Sequence, residues 1–139
     1  MFLGQHERQI ERGKVLLPAA FAAHLDSRSV LTRGFDRNLL VFPAAHWQSL
    51  AARLAGLAVT KADARQLRRH LFAGAQPLSL DAAGWMALPS ELADYGALEE
   101  TAVLVGVYDY AEIWSPDRWS TAQEQIAGAD PDRYQLLGI

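Results

Sequence analysis

The sequence predicts an α+β fold: one pseudo-twofold domain whose interlocking hairpins build a small β-barrel with flanking helices. Three observations predict it. The chain repeats itself at an interval of about 70 residues. Each copy shows short strand patterns with prolines placed to open helices. The composition is globular, with 139 residues, 50% hydrophobic and 21% charged, enough for one real core. Strands of a few residues do not hold a sheet alone, so the two copies must share one.

The repeat is legible residue by residue. QIERGKVLLP (9–18) echoes SLDAAGWMALP (79–89), and Gly13 and Pro18 map to Gly84 and Pro89, an offset of 71. TRGFDRNLLVFPAAHWQSL echoes LVGVYDYAEIWSPDRWSTA, and Gly34, Phe42 and Trp47 map to Gly106, Trp114 and Trp119, an offset of 72. This step of one residue reads as a residue missing from the first copy near Gly13, or an extra one between Pro18 and Gly34.

Each copy opens on a β-rich segment, turns at a glycine and continues in a short strand, Val15–Leu17 or Trp85–Leu88. Proline then opens a short helix, Ala19–His24 or Ser90–Asp94. A hairpin follows, Ser29–Thr32 with Leu39–Phe42, or Ala102–Gly106 with Ala111–Trp114. The turns GFDRN and VYDY reverse the chain. A helix closes each copy. Trp47, Leu50, Ala51, Leu54 and Leu57 form one apolar stripe. Ser115 caps the other helix, Pro116 takes its first position, and Trp119, Ala122 and Ile126 make its stripe. Between the copies lies a helix over Lys61–Phe72, where Thr60 with Asp63 resembles a capping box. The tail ADPDRYQLLGI is expected to be frayed or docked on a partner. The expected division is a first repeat over 1–57, a linking helix over 58–73, and a second repeat with C-terminal helix and tail over 74–139.

Several function classes are excluded. With no cysteine there is no disulfide framework, thiol nucleophile or cysteine-based zinc site. His6, His24, His46 and His70 lack the spacing of metal ligands. No nucleophile elbow, zincin helix or phosphate-binding loop occurs, so neither an enzyme nor a cofactor or metal is expected. No apolar run approaches the roughly 18 residues that span a bilayer, and MFLGQHERQIERGK is no signal peptide. A soluble cytosolic protein without membrane or small-molecule partners is expected. Charge divides the chain. Residues 1–72 hold 11 basic and 5 acidic side chains, a net +6, and residues 73–139 hold 2 and 11, a net −9. Such asymmetry fits a polyanion partner, head-to-tail self-association, or two halves that neutralise each other within one fold.

MFLG, IERGKVLLP, LTRGFDRNLLVFPAAHW, LDAAGWMALP and LVGVYDYAEIWS together resemble the bacterial MraZ proteins, from Met1 to about Gln125. The resemblance implies two AbrB-type swapped-hairpin halves per chain and an octamer-like, ring-shaped homo-oligomer. It further implies double-stranded DNA as partner, bound at repeated promoter boxes of the cell-division and cell-wall gene cluster. The role implied is transcriptional regulation, in the cytoplasm at the nucleoid. The family signature is Asp, three residues, then Arg, once per half. The first copy reads Glu11-Arg12-Gly13-Lys14, one residue shorter and with Lys in the Arg place. The second reads Asp81-Ala82-Ala83-Gly84-Trp85, with Trp in that place. The Arg that usually follows the second proline is absent from Pro89-Ser90-Glu91-Leu92-Ala93. Glu11, Asp81 and Trp85 are therefore degenerate motif positions.

Arginine offers a bidentate fork to guanine, lysine only a point charge, and tryptophan no charge for phosphate. DNA contact is therefore expected through the first copy: Arg8, Arg12 and Lys14, with Arg33 and Arg37 as further candidates. On an extended strand, Arg8, Arg12 and Lys14 would share one face. The alternative is a basic edge that deters strand pairing. Lys61, Arg65, Arg68 and Arg69 share a helical face that fits solvent, a secondary phosphate contact or a neighbour's acidic half. Trp85 fits an apolar cover or an interface anchor. Trp47, Trp114 and Trp119 read as core, and Glu112 as structural. The rival reading is an assembly module that kept the fold and lost most DNA reading. An antitoxin-like AbrB protein is a third, weakened by the double copy.

Overall fold

In the computed structural model, which describes residues 1–138, the chain begins with a hairpin. Ile139, last residue of the expected tail, lies outside the described residues. Strands β1 (Gln5–Glu11) and β2 (Lys14–Leu16) reverse at Arg12-Gly13, both with positive φ (54° and 74°). This is the two-residue turn whose twist matches its flanking strands. After Pro18 comes α1 (Ala19–Ala22), then the hairpin β3 (Val30–Arg33) and β4 (Leu39–Phe42), then α2 (Ala44–Ala55) and α3 (Ala62–Gly74). The second half repeats the order: β5 (Gln76–Pro77), β6 (Trp85–Ala87), α4 (Ser90–Tyr95), β7 (Thr101–Gly106), β8 (Ala111–Trp114) and α5 (Pro116–Ala127). Ser115 caps α5 by accepting from Arg118 N at 3.3 Å, with Pro116 at the first helical position. The tail forms an exposed 3-10 helix, Pro131–Leu137, capped by Asp130.

The halves interlock. All eight strands pair antiparallel in the order β5-β3-β4-β8-β7-β1-β2-β6. β1 leaves its own half to pair with β7, from Gln5 opposite Val105 to Gln9 opposite Thr101. Reciprocally, β5 pairs with β3. The pseudo-axis passes between β4 and β8, where Leu40 faces Glu112, and between β2 and β6, where Val15 faces Met86. The ends of the order meet where Leu80 bridges Met86 and Ala87 N donates to Ser79 O at 2.9 Å. Alternation along these strands turns Val15, Leu31, Leu39, Met86, Leu104 and Ile113 into one shared interior. Each such side chain contributes roughly 1.5–3 kcal/mol on burial, so neither half keeps its core without the other. Outside the barrel, α2 and α3 cover Leu40 and Phe42, while α5 covers Val103, Val105 and Trp114. Of the tryptophans read as core, Trp114 is buried, whereas Trp47 and Trp119 are only half-buried against these outer clusters.

Strand register corrects the repeat alignment. Phe42 and Trp114 are mates, but Gly34 and Gly106 are not. Gly106 stands opposite Ala111 as Arg33 stands opposite Leu39, so Arg33 is its mate. The first hairpin loop holds five residues, 34–38, and the second four, 107–110. The extra residues between proline and hairpin lie in the second copy, where α4 is longer than α1, and not in the first. Gly106 is required for its own reason. A Cβ there would stand 2.3–2.6 Å from the backbone of Phe2 and Leu3. The expected capping box also fails. α3 starts at Ala62, after Lys61, with no side-chain cap, and Asp63 serves its first turn as an acidic residue near the positive helix end.

Candidate nucleic-acid interface

The strongest concentration of predicted residues lies where the two inner turns meet. On the β2–β6 ladder, Val15 and Met86 point inward, so Lys14, Leu16, Trp85 and Ala87 point out. The pseudo-axis maps Lys14, opposite Ala87, onto Trp85, opposite Leu16. Glu11, Arg12, Lys14, Asp81 and Trp85 rim one shallow, open concavity. Two strands paired across the pseudo-axis thus bring both glycine turns to one surface.

The two turns are built differently. In the second, Asp81 Oδ1 accepts from Ala83 N and Trp85 N, both at 3.0 Å, and Gly84 takes φ +97°. Asp81 is therefore the clasp of a three-residue turn. The first turn needs no clasp, because Arg12 and Gly13 close it by backbone conformation alone. Glu11, Arg12 and Lys14 are all exposed. Among the described residues neither Arg12 nor Lys14 makes an ion pair or a side-chain hydrogen bond. Trp85 is half-buried beside Leu16.

The remaining predicted contacts are placed elsewhere. Arg8, Arg12 and Lys14 do not share a strand face, because the chain reverses at Arg12-Gly13. Arg8 lies on the half-buried side of β1 with His6 and Ile10, and its guanidinium donates to Glu7 O at 2.9 Å. Arg33 donates to His70 O and Arg69 O, both at 3.0 Å, near the C-terminal end of α3. That use is structural and favoured by the negative end of the helix dipole. Arg37 sits 4.8 Å above the Tyr95 ring, in the β3–β4 loop. His70 Nε2 meets Gly34 O at 2.6 Å, and His46 Nδ1 meets Asp109 Oδ2 at 3.3 Å. Among the described residues no group of three metal-ligating side chains converges, and no helix is long and apolar enough to cross a membrane.

Sequence reasoning missed one echo that the fold makes visible. MFLG at 1–4 and LFAG at 71–74 stand at corresponding places, Phe2 with Phe72 and Gly4 with Gly74. The signal was present but the environments diverge. Phe2 is buried against Phe21 in the barrel, whereas Phe72 lies in the last turn of α3 against Trp47.

The family model "MraZ protein, putative antitoxin-like" matches twice, over residues 1–70 and 71–134. The chain is 45% identical over 132 residues to "Transcriptional regulator MraZ" of Herpetosiphon aurantiacus, covering 94% of this chain and 92% of that protein. It is 41% identical over 138 residues to the protein of that name from Thermomicrobium roseum, covering 99% and 97%. With that from Roseiflexus castenholzii it shares 42% identity over 120 residues, covering 86% and 84%. These relatives are regulators by name, not enzymes. With both halves matched and the relatives aligned over most of their length, this chain belongs to the MraZ family of transcriptional regulators.

Proposed function

We propose that this protein is a sequence-specific DNA-binding transcriptional regulator that contacts duplex DNA through the β1–β2 turn, with Arg12 and Lys14 as the contacting cations. The observation that carries this reading is their freedom. Both are exposed on a short turn and spend no charge on an internal carboxylate among the described residues. A cation already paired would have to break that pair to bind phosphate; these would not. Arg8, Arg33 and Arg37 are secondary in this reading, since Arg8 and Arg33 bond to backbone carbonyls and Arg37 stacks on Tyr95.

One chain offers one small basic turn, and its net charge of −3 opposes tight binding. We infer that affinity comes from a ring-shaped homo-oligomer that sets several such turns against repeated promoter boxes, so that weak contacts multiply through effective concentration. The family resemblance supports the boxes upstream of the cell-division and cell-wall gene cluster as target, and the cytoplasmic nucleoid as the place of action.

Fluorescence anisotropy with labelled DNA from upstream of the protein's own gene tests this, titrated across salt beside Lys14→Ala. The expected result is salt-sensitive binding that prefers this DNA to scrambled sequence and weakens about tenfold or more in the variant. Equal affinity for scrambled DNA at low salt would favour an assembly module that kept the fold without its reader.

A further inference from the structure

A second concavity lies on the opposite end of the pseudo-axis from the two turns. Between the α2–α3 layer and the outer face of β4 and β8 the structure leaves a half-enclosed slot of about 350 Å3. Its accessible wall is Phe35, Leu50 of α2 and Leu67 of α3, above the packed cluster of Leu40, Phe42, Leu54 and Leu71. Its rim is acidic, with Glu112 and Asp36, and carries Tyr110 and His46.

Glu112 is the unusual member. It is the pseudo-axial mate of Leu40, so a carboxylate stands where the first half keeps an apolar residue. Its Oε1 accepts from Trp114 Nε1 at 3.0 Å. Among the described residues no cation pairs with Glu112 or with Asp36. The nearby cations are engaged elsewhere. Arg37 stacks on Tyr95, Arg118 donates to Arg37 O and Tyr95 O, and His46 faces Asp109. Burial, reinforced by Asp36, raises the Glu112 pKa, against the pull of the Trp114 indole and the neighbouring Asn38 side chain. Asn38 is fully buried beside it, and its Nδ2 is directed at the carboxylate without meeting hydrogen-bond geometry. An apolar slot with a half-buried carboxylate and no counter-charge of its own is complementary to an apolar body that carries one positive charge.

We propose that this slot binds a small organic ammonium ion, its apolar body across Leu50 of α2 and Leu67 of α3 and its charged head against Glu112. The volume lies at the low end of the range for small-ligand pockets, about 300–1,000 Å3. The site is independent of the DNA-contacting turn.

Hexylammonium, neutral 1-hexanol and hexanoate are the probes, titrated into the full-length protein and followed by amide NMR shifts at α2, α3 and β8. Light scattering on the same samples reports oligomeric mass. Saturable hexylammonium binding is expected, with hexanol about tenfold weaker and hexanoate undetectable. Glu112→Gln should bring hexylammonium down to the hexanol level and leave hexanol unchanged, which shows that the slot itself persists. Equal binding of hexylammonium and hexanol, or a preference that survives Glu112→Gln, overturns the proposal. So does the absence of saturation by any probe. A fall in oligomeric mass that tracks hexylammonium binding also overturns it, and assigns the slot to a lysine of a second copy.

Discussion

The two turns that meet across the β2–β6 ladder solve the same problem in opposite ways. The first closes on positive φ at Arg12 and Gly13 and asks nothing of its side chains. The second is one residue longer and closes on the Asp81 carboxylate, which accepts two amide N–H groups. A turn held by backbone conformation leaves its side chains free for a ligand. A turn held by a side chain spends that side chain on the fold. The shortening of the first motif is thus compatible with contact function, because Glu11, Arg12 and Lys14 all reach solvent. The second turn closes on Asp81 and carries Trp85, not a cation, at the outward position that mates with Lys14.

The largest expected effect breaks this comparison at the clasp. Asp81→Ala removes the acceptor of two amide bonds at 3.0 Å and should cost about 2 kcal/mol. In a domain of this size that lowers Tm by about 6–8 °C. Glu11→Ala, at the corresponding place in the first turn, should change Tm by less than about 2 °C, because Glu11 is exposed and holds nothing. Thermal unfolding of the two variants side by side checks this. Equal losses would mean that Glu11 also supports its turn.

The next effect concerns binding. Trp85 is the pseudo-axial mate of Lys14, on the same outward ladder. Trp85→Arg should give the second turn the cation it lacks, raise DNA affinity about tenfold and steepen the salt dependence by about one unit per contacting turn. The anisotropy titration across salt reads both quantities. An unchanged slope would show that only the first turn faces DNA.

How far the sequence foretold this arrangement depends on the range of the interactions involved. Local signals held: proline and Ser115 set α5, the prolines before α1 and α4 open them, and the hairpins fall within a residue or two of their expected places. The interlocking was legible in outline, because strands this short demand a partner copy. The pairing of β1 with β7, and its register, was not, since nothing local encodes a contact between Gln5 and Val105. The repeat alignment slipped at Gly34 because two loops of unequal length hid behind a shared glycine. Of the candidate surface, charge and motif single out Arg12 and Lys14, which the fold leaves exposed on the β1–β2 turn. Arg33 was not separable from them by charge, because its use on the carbonyls of α3 depends on a helix 36 and 37 residues away.

The smallest effect sharpens the other pair of mates on the pseudo-axis, Leu40 and Glu112. Burial raises the Glu112 pKa above its ordinary 4.5, so the folded state holds this proton more tightly than the unfolded chain does. The stability contributed by that proton is fully present below pH 4.5 and is lost as pH rises through the folded-state value. Tyr110 is also pushed up, but from 10.0, and so stays protonated throughout this window. Glu112→Gln keeps an acceptor for the Trp114 indole and has no charge to bury. The variant should therefore match the parent in Tm at pH 4 and exceed it by a margin that grows toward pH 8. A difference that does not grow with pH would mean that the ionised carboxylate is already compensated in the folded protein, by the Trp114 indole and Asn38 within the chain or by a cation from outside it. Hexylammonium binding separates the two, because among the described residues no cation pairs with Glu112.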